Sequence, residues 1–172
     1  MQSIASFIDL WNSMEPSCEP QISAGGFVFQ QGDPASHLYL VRSGRIRLVR
    51  YTWEGQRCTL FCAESGQTFA EAALFSERYH CFARADKDSR VAGFDKQLIL
   101  AHLREHPDMA LCYIAHLSHQ VHDLRTLIEL RTIRSAKERV LTYLLQHAEF
   151  GGNQPQQRFV TKESAAFGAF CL

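Results

Sequence analysis

The segment between residues 22 and 94 constrains the fold more than any other part of the chain. It consists of short runs rich in β-branched and aromatic residues, separated by turn residues such as Gly25-Gly26, and it contains no long helical stretch. Parallel strands need crossovers of about a dozen residues or more, and these runs leave no room for them. The sequence therefore predicts an antiparallel barrel or sandwich. The predicted strands are residues 27–30, 37–42, 45–52, 57–62, 81–85 and 89–94, with Ser43-Gly44 as a turn between the second and the third.

Length and composition place the chain among globular proteins. Its 172 residues allow one domain and an appendage, and 46% of them are hydrophobic. Lys and Arg total 18, as do Asp and Glu, so the chain lacks the basic excess of an electrostatic nucleic-acid binder. Apolar stretches reach only about six residues, far short of the ~18 that cross a bilayer, and the N-terminus lacks the basic region of a secretory signal. We expect a cytoplasmic protein with no membrane contact, whose six cysteines stay reduced.

Helical spacing is found on both sides of the β-rich segment. Apolar residues at positions 4, 7, 8 and 11 predict a short amphipathic helix over residues 3–14. From Asp95 the period changes again, with Leu98, Ile99 and Leu103 at helical spacing. Pro107 then opens a second helix, at a position where proline is well tolerated.

This second helix is long and carries a heptad-like apolar stripe. The spacing alternates between four and three residues, as at the a and d positions of a two-stranded coiled coil. The stripe extends for about 27 Å at about 1.5 Å per residue. A second apolar edge, formed by Leu127, Leu130 and Ile133, is enough to hold the helix against its own β domain. The sequence therefore predicts a homodimer whose interface contains Ala110, Ile114, Leu117, Val121, Leu124 and Ile128.

Residues 135–172 begin as a further helix and then lose any clear period. Ser135 and Glu138 have the spacing of a capping box, and apolar residues follow at positions 140, 141, 144, 145 and 148. Gly151-Gly152 is predicted to end this helix. The remainder contains a polar linker, a second helix-like start at Thr161 and an uncharged end, which together suggest an element cut short.

The order of these features resembles the Crp/Fnr-type bacterial transcription regulators. The motifs that carry the resemblance are residues 29–34, 38–48, 66–75 and 135–145, and the match covers about residues 5–163. The resemblance implies an α+β fold, an antiparallel β-roll or jelly roll with short flanking helices and a long C-terminal dimerisation helix. It implies a cyclic nucleotide-binding-like sensor domain over residues 1–106, the dimerisation helix over 107–134, and the truncated start of the DNA-binding region over 135–172. In the family a winged helix-turn-helix that enters the major groove follows, and nearly all of it is missing here.

The resemblance also assigns a candidate effector site to residues 66–85. Similar sensor domains hold a cyclic nucleotide there, with backbone N–H groups near Ala70 facing the phosphate and Glu71 accepting from the ribose. The family pattern of Arg-Ser or Arg-Thr followed by Ala aligns with Tyr79, His80 and Cys81, so its phosphate-binding arginine is absent, and Arg78 lies one residue away. The candidate effector-binding residues are Ala70, Glu71, Ala72, Arg78, Tyr79 and His80, with Arg125 and Thr126 where the family's long helix closes over the base.

This departure leaves the effector open between a cyclic nucleotide, a different small molecule and none. The function implied by the resemblance is the sensor and dimerisation portion of a regulator, which couples effector binding in the β-roll to a DNA-binding domain. DNA would be bound only through a complete C-terminal domain. The alternative is a stand-alone interaction module of the same fold with no DNA-binding role.

Neither a metal site nor an enzyme is predicted. Cys112, His116 and His119 share one face of the long helix, but they occupy outer heptad positions and no second element supplies a further ligand. The chain contains no Gly-x-Ser-x-Gly, no phosphate-cradling glycine-rich loop and no His-Glu-x-x-His. We expect no cofactor other than the cyclic nucleotide that the resemblance leaves open.

Overall fold

The computed structural model describes residues 7–149, and the side chains of residues 10–145. The chain divides into two compact units, Met1–Leu117 and Ser118–Leu172. The first contains α1 (Phe7–Asn12), β1 (Gln21–Ile22), β2 (Phe27–Phe29), β3 (His37–Tyr51), β4 (Arg57–Glu64), β5 (Thr68–Phe69), a 3-10 helix (Glu71–Phe75), β6 (Phe82–Asp95), α2 (Lys96–Glu105) and the beginning of α3 (Pro107–Thr132). The rest of α3 and α4 (Ala136–Glu149) belong to the second.

All strand pairings are antiparallel, as the sequence predicts. The two long strands β3 and β6 pair with each other along most of their length. β1 and β2 pair with β6, while β4 and β5 pair with β3. The fold is an antiparallel sheet with helices and a long helix α3, which confirms the predicted fold class.

The predicted turn at Ser43-Gly44 is wrong, because β3 continues through it as one strand of 15 residues. Gly44 has a φ of +95°, and the register between β3 and β6 shifts at this point, so the strand bends without leaving the sheet. Ser89 of β6 packs against the bend, and its Oγ accepts a hydrogen bond from the N–H of Arg45 at 3.0 Å. β6 likewise joins two predicted strands, 81–85 and 89–94, into one.

Buried apolar residues form two clusters within the first unit. One lies among the strands and the loop that follows β5, and it includes Phe29, Tyr39, Ile46, Phe69 and Tyr79. The other brings together the sheet and the helices, and it includes Leu10, Trp11, Leu74, Phe94, Ile99 and Tyr113. The 3-10 helix contributes to both clusters, through Ala73 and Leu74 respectively.

Local signals fix the helix ends near their predicted places. Asp95 caps α2, and its Oδ1 accepts from the N–H groups of Gln97 and Leu98. Pro107 is the first residue of α3, and the Oγ of Ser135 accepts from the N–H of Glu138 at 3.3 Å before α4. Among the helices between residues 7 and 149, none combines the length and apolar character that a membrane crossing demands.

Several predictions fall outside the described residues. They are the start of the first helix with Ile4, the side chains of Phe7, Ile8 and Ala148, the stop at Gly151-Gly152, and the polar linker and helix-like start within residues 153–172.

Candidate functional site

The candidate site is built on the sharp turn between β5 and the 3-10 helix. Ala70 connects the two elements with φ 70° and ψ 28°, and it is the only described residue other than glycine with a positive φ. A left-handed conformation costs an alanine about 1–2 kcal/mol relative to a right-handed one. This conformation lets the chain turn within one residue from β5, which pairs with Tyr39 and Leu40 of β3, into the 3-10 helix that begins at Glu71. Ala72 follows in the helix and is exposed.

Glu71 is half-buried and bonded to its own loop. Its Oε1 accepts a hydrogen bond of 2.6 Å from the hydroxyl of Thr68, which is buried. The carboxylate also acts on Tyr113 of α3, whose pKa is raised first by burial and then by the negative charge of Glu71. The charge of Glu71 in the loop is therefore close enough to Tyr113, in the first turns of α3, to affect it.

Arg78 is exposed, and its guanidinium is used elsewhere. Nη1 donates to the carbonyl of Gly32 at 2.7 Å, and the backbone of Arg78 forms an isolated bridge with Pro34. Within the part of the chain that the structure describes, no hydrogen bond or ion pair joins Arg78 to Glu71. Glu71 and Arg78, the two charged residues predicted to bind the ligand, therefore bond to different partners, Thr68 and Gly32.

Tyr79 is buried in the cluster among the strands. Its ring stacks on that of Phe29, with centroids 3.7 Å apart and planes 10° apart. Its hydroxyl donates to the carbonyl of His37 at 2.8 Å and accepts from the N–H of the same residue at 3.1 Å. Tyr79 is thus a core residue rather than a side chain open to solvent.

The two residues after Tyr79 differ in exposure. His80 is exposed, its Nε2 lies 3.0 Å from the hydroxyl of Ser76, and its carbonyl accepts from the guanidinium of Arg50. Cys81 is half-buried, and burial raises the pKa of its thiol although the charge of Arg50 partly opposes this. A raised pKa favours the neutral thiol, as is usual for a structural cysteine in apolar surroundings.

The remaining predicted residues lie on α3. Four residues of the predicted stripe are exposed: Ile114, Val121, Leu124 and Ile128. Ala110 and Leu117 are half-buried, and Leu117 packs against the cluster that brings together the sheet and the helices. Arg125 is exposed and Thr126 half-buried, and both belong to the second unit. In the described part of the chain, no group of three His, Cys, Asp or Glu side chains is arranged to hold a metal ion.

Two residues of the site were missed from the sequence. Thr68, the partner of Glu71, lies inside the family-like motif but carries no signal of its own. Tyr113 lies between members of the apolar stripe on α3, whose heptad spacing is the stronger signal in this helix. Met109 and Leu117 lie four residues to either side of Tyr113 and pack against the same cluster, so this spacing was the available sign that the first turns of α3 face inward.

Comparison with known proteins agrees with this architecture. Residues 19–106, about half of the chain, match the cyclic nucleotide-binding domain family. The cyclic AMP receptor protein of Thermus thermophilus is 32% identical over 120 residues, which cover 69% of this chain and 56% of that protein. The chain therefore spans little more than half the length of this relative.

Two solved structures are similar as well. The sensor domain of the transcriptional regulator DNR from Pseudomonas aeruginosa is 30% identical with a TM-score of 0.57, and the match covers 69% of this chain and 77% of that one. The catabolite activator protein of Thermus thermophilus is 28% identical with a TM-score of 0.59, covering 83% and 71%.

Proposed function

Because the chain belongs to the cyclic nucleotide-binding domain family and carries a sensor domain of the Crp/Fnr type, we propose that it is the sensor and dimerisation portion of a transcription regulator. The matched family is a regulatory domain and not an enzyme family. In this proposal the state of the loop at residues 66–85 is transmitted to α3, and two paired α3 helices set the spacing of two DNA-reading domains. DNA is bound only through a complete C-terminal domain, in the cytoplasm.

The observation that carries the proposal is the shared packing of the loop and the long helix. Leu74 of the 3-10 helix and Tyr113 of α3 are both nearly completely buried in the same cluster. Close-packed interiors do not deform continuously, so a displacement of the 3-10 helix requires the first turns of α3 to repack. The charge of Glu71, which acts on Tyr113, provides a second connection between the same two elements.

The exposed stripe on α3 supports dimerisation. Ile114, Leu124 and Ile128 each leave more than half of their side chain exposed, and Val121 nearly half. An apolar row on one face of a long helix is stabilised by burial against a matching row. A second copy presents that row at the same spacing. Ala110 and Leu117 continue the heptad pattern, although Leu117 also packs against the core of its own chain. The proposed domains are the sensor (1–106), the dimerisation helix (107–134) and the start of the DNA-binding region (135–172).

The proposed effector site is centred on Glu71 and the backbone of Ala70 and Ala72. Arg125 and Thr126 belong to the second unit, and their role stays a prediction from the sequence. Arg78, Tyr79 and His80 remain at the border of the site, where they are held by contacts with other parts of the first unit. An effector at Glu71 would act on the hydrogen bond with Thr68 and on the environment of Tyr113.

A reporter assay tests the proposal. The 172-residue chain is fused to a DNA-binding domain that represses its operator only as a dimer, and the fusion is expected to restore repression. Leu124→Asp places a charge in the stripe and should abolish repression, whereas His119→Asp on the opposite face of α3 should preserve it. Equal repression by all three fusions, or none by the unsubstituted one, would contradict the proposal and favour a stand-alone module.

A further inference from the structure

The space among the strands next to the candidate site is filled by aromatic rings of the chain itself. Phe29, Tyr39, Phe69 and Tyr79 come from four separate parts of the chain, and each is at most 7% exposed. The ring of Phe29 lies 3.7 Å from that of Tyr79, 5.8 Å from that of Tyr39 and 6.2 Å from that of Phe69, measured between centroids. All three pairs are stacked, so the rings form one continuous packed group.

Tyr79 also makes hydrogen bonds next to this aromatic group. Its hydroxyl bonds to both backbone groups of His37, and the hydroxyl of Thr68 donates to one oxygen of the Glu71 carboxylate. Tyr79 occupies the position where the family has its phosphate-binding arginine. Its side chain is neutral and is already bonded to His37. The one O–H donor of Tyr79, which a ligand phosphate would need, is already used by the carbonyl of His37.

Cationic side chains fasten the same loop from outside. Arg78 donates to the carbonyl of Gly32, Arg50 to that of His80, and the ammonium of Lys96 to that of Ser76 at 2.9 Å. Lys96 and Arg50 thus bind the neutral carbonyl groups at the two ends of residues 76–80, and Arg78 within the segment binds a third neutral carbonyl. A buried phosphate needs a paired cation, because an unpaired charge in a protein interior is strongly unfavourable. The residues present do not fit the cyclic nucleotide that the family implies.

We propose that Tyr79 is the specificity-determining residue of the roll: it holds the loop in place of an anionic ligand, so that the roll takes no cyclic nucleotide. This inference rests on the proposed function, in which the loop at residues 66–85 transmits its state to α3. It adds that the packed aromatic rings of the chain, rather than a bound nucleotide, hold this loop in its conformation. Arginine at position 79 would remove the stacked ring and supply the missing cation.

Calorimetric titration of the 172-residue chain with cyclic AMP and with cyclic GMP tests this inference. The unsubstituted chain should give no heat of binding and no rise in Tm at about 1 mM nucleotide. Tyr79→Arg should bind cyclic AMP at least about tenfold more tightly than the unsubstituted chain, because a guanidinium pairs with phosphate. Tyr79→Phe is the matched control, since it keeps the stacked ring without a cation and should gain no binding.

Binding of cyclic AMP by the unsubstituted chain, with loss of affinity in Glu71→Gln, would overturn the inference. A Tyr79→Arg chain that is folded by circular dichroism but binds no better would overturn the assignment to Tyr79. Where Tyr79→Arg does not fold, the titration of the unsubstituted chain decides alone. The reporter assay is read without added nucleotide, so a failure of the proposed function is seen separately from a failure of this inference.

Discussion

The hydroxyl of Tyr79 makes two hydrogen bonds with the backbone of one residue, His37, to which it donates and from which it accepts. The contact joins the loop before β6 to the first residue of β3, 42 positions away. Tyr79→Phe removes both bonds and should lower the free energy of unfolding by about 1–2 kcal/mol. Urea denaturation measures the change. Tyr51→Phe, at an exposed tyrosine, should change stability by less than about 0.5 kcal/mol, and equal losses in the two variants would refute the structural role.

The strained turn at Ala70 should respond to glycine in the opposite way from an ordinary helical alanine. Ala70→Gly relieves the positive φ and is expected to raise the free energy of unfolding by up to about 1 kcal/mol. Ala72→Gly, in the neighbouring 3-10 helix, should lower it by about 0.5–1 kcal/mol. Thermal denaturation of both variants measures the difference, and a loss of stability in both would contradict the strain at Ala70.

Gly44 and Gly55 offer a matched test of the bend in β3, because both have a positive φ. A Cβ atom at Gly44 would lie 2.2 Å from Oγ and 2.6 Å from Cα of Ser89, whereas nothing lies within 4 Å of one at Gly55. Gly55→Ala should cost about 1 kcal/mol from the backbone conformation alone. Gly44→Ala should cost at least about 2 kcal/mol more, because β6 must move away from β3. Chemical denaturation with similar midpoints for the two variants would exclude this close approach.

Two buried tyrosines should make the fold sensitive to alkaline pH. Burial raises the pKa of Tyr39, with a further contribution from the adjacent Tyr79, and burial followed by the charge of Glu71 raises that of Tyr113. The neutral form is favoured in the folded state, so the stabilisation is present below the ordinary tyrosine pKa of about 10 and is lost as the pH rises above it. Denaturation between pH 8 and 11 should therefore show a loss that begins near about pH 10. Tyr113→Phe should make this loss less steep, and an unchanged slope would contradict the prediction.

The stripe on α3 predicts a dimer in solution. The 172-residue chain has a mass of 19.6 kDa, so sedimentation equilibrium at micromolar concentration should give about twice this value for a coiled-coil pair. Val121→Asp should return the mass to that of the monomer, while His119→Asp should leave the dimer intact. A monomer in the unsubstituted chain would remove the proposed interface.

Much of the fold follows from signals that act over a few residues. Pro107 begins α3 and Ser135 precedes α4 as the sequence predicts, and α2 begins just after Asp95, where the predicted change of period lies. These signals are reliable because a cap or a proline acts on backbone groups within one helical turn. The antiparallel arrangement is determined in a similar way, since the short connections exclude parallel crossovers.

The tertiary structure decided the features that join distant parts of the chain. The same Ser43-Gly44 pair that reads as a turn continues as a bent strand because Ser89 of β6 packs against Gly44. Arg78 has the charge that a phosphate site requires, but its partner is the carbonyl of Gly32, 46 residues away. The sequence determined where most of the strands and helices lie, although it missed the short strands β1 and β5, whereas the side chains that meet across the fold determined what the loop at Glu71 contacts. The reason is physical: backbone preferences are local, but burial and hydrogen bonding depend on neighbours that only folding brings together.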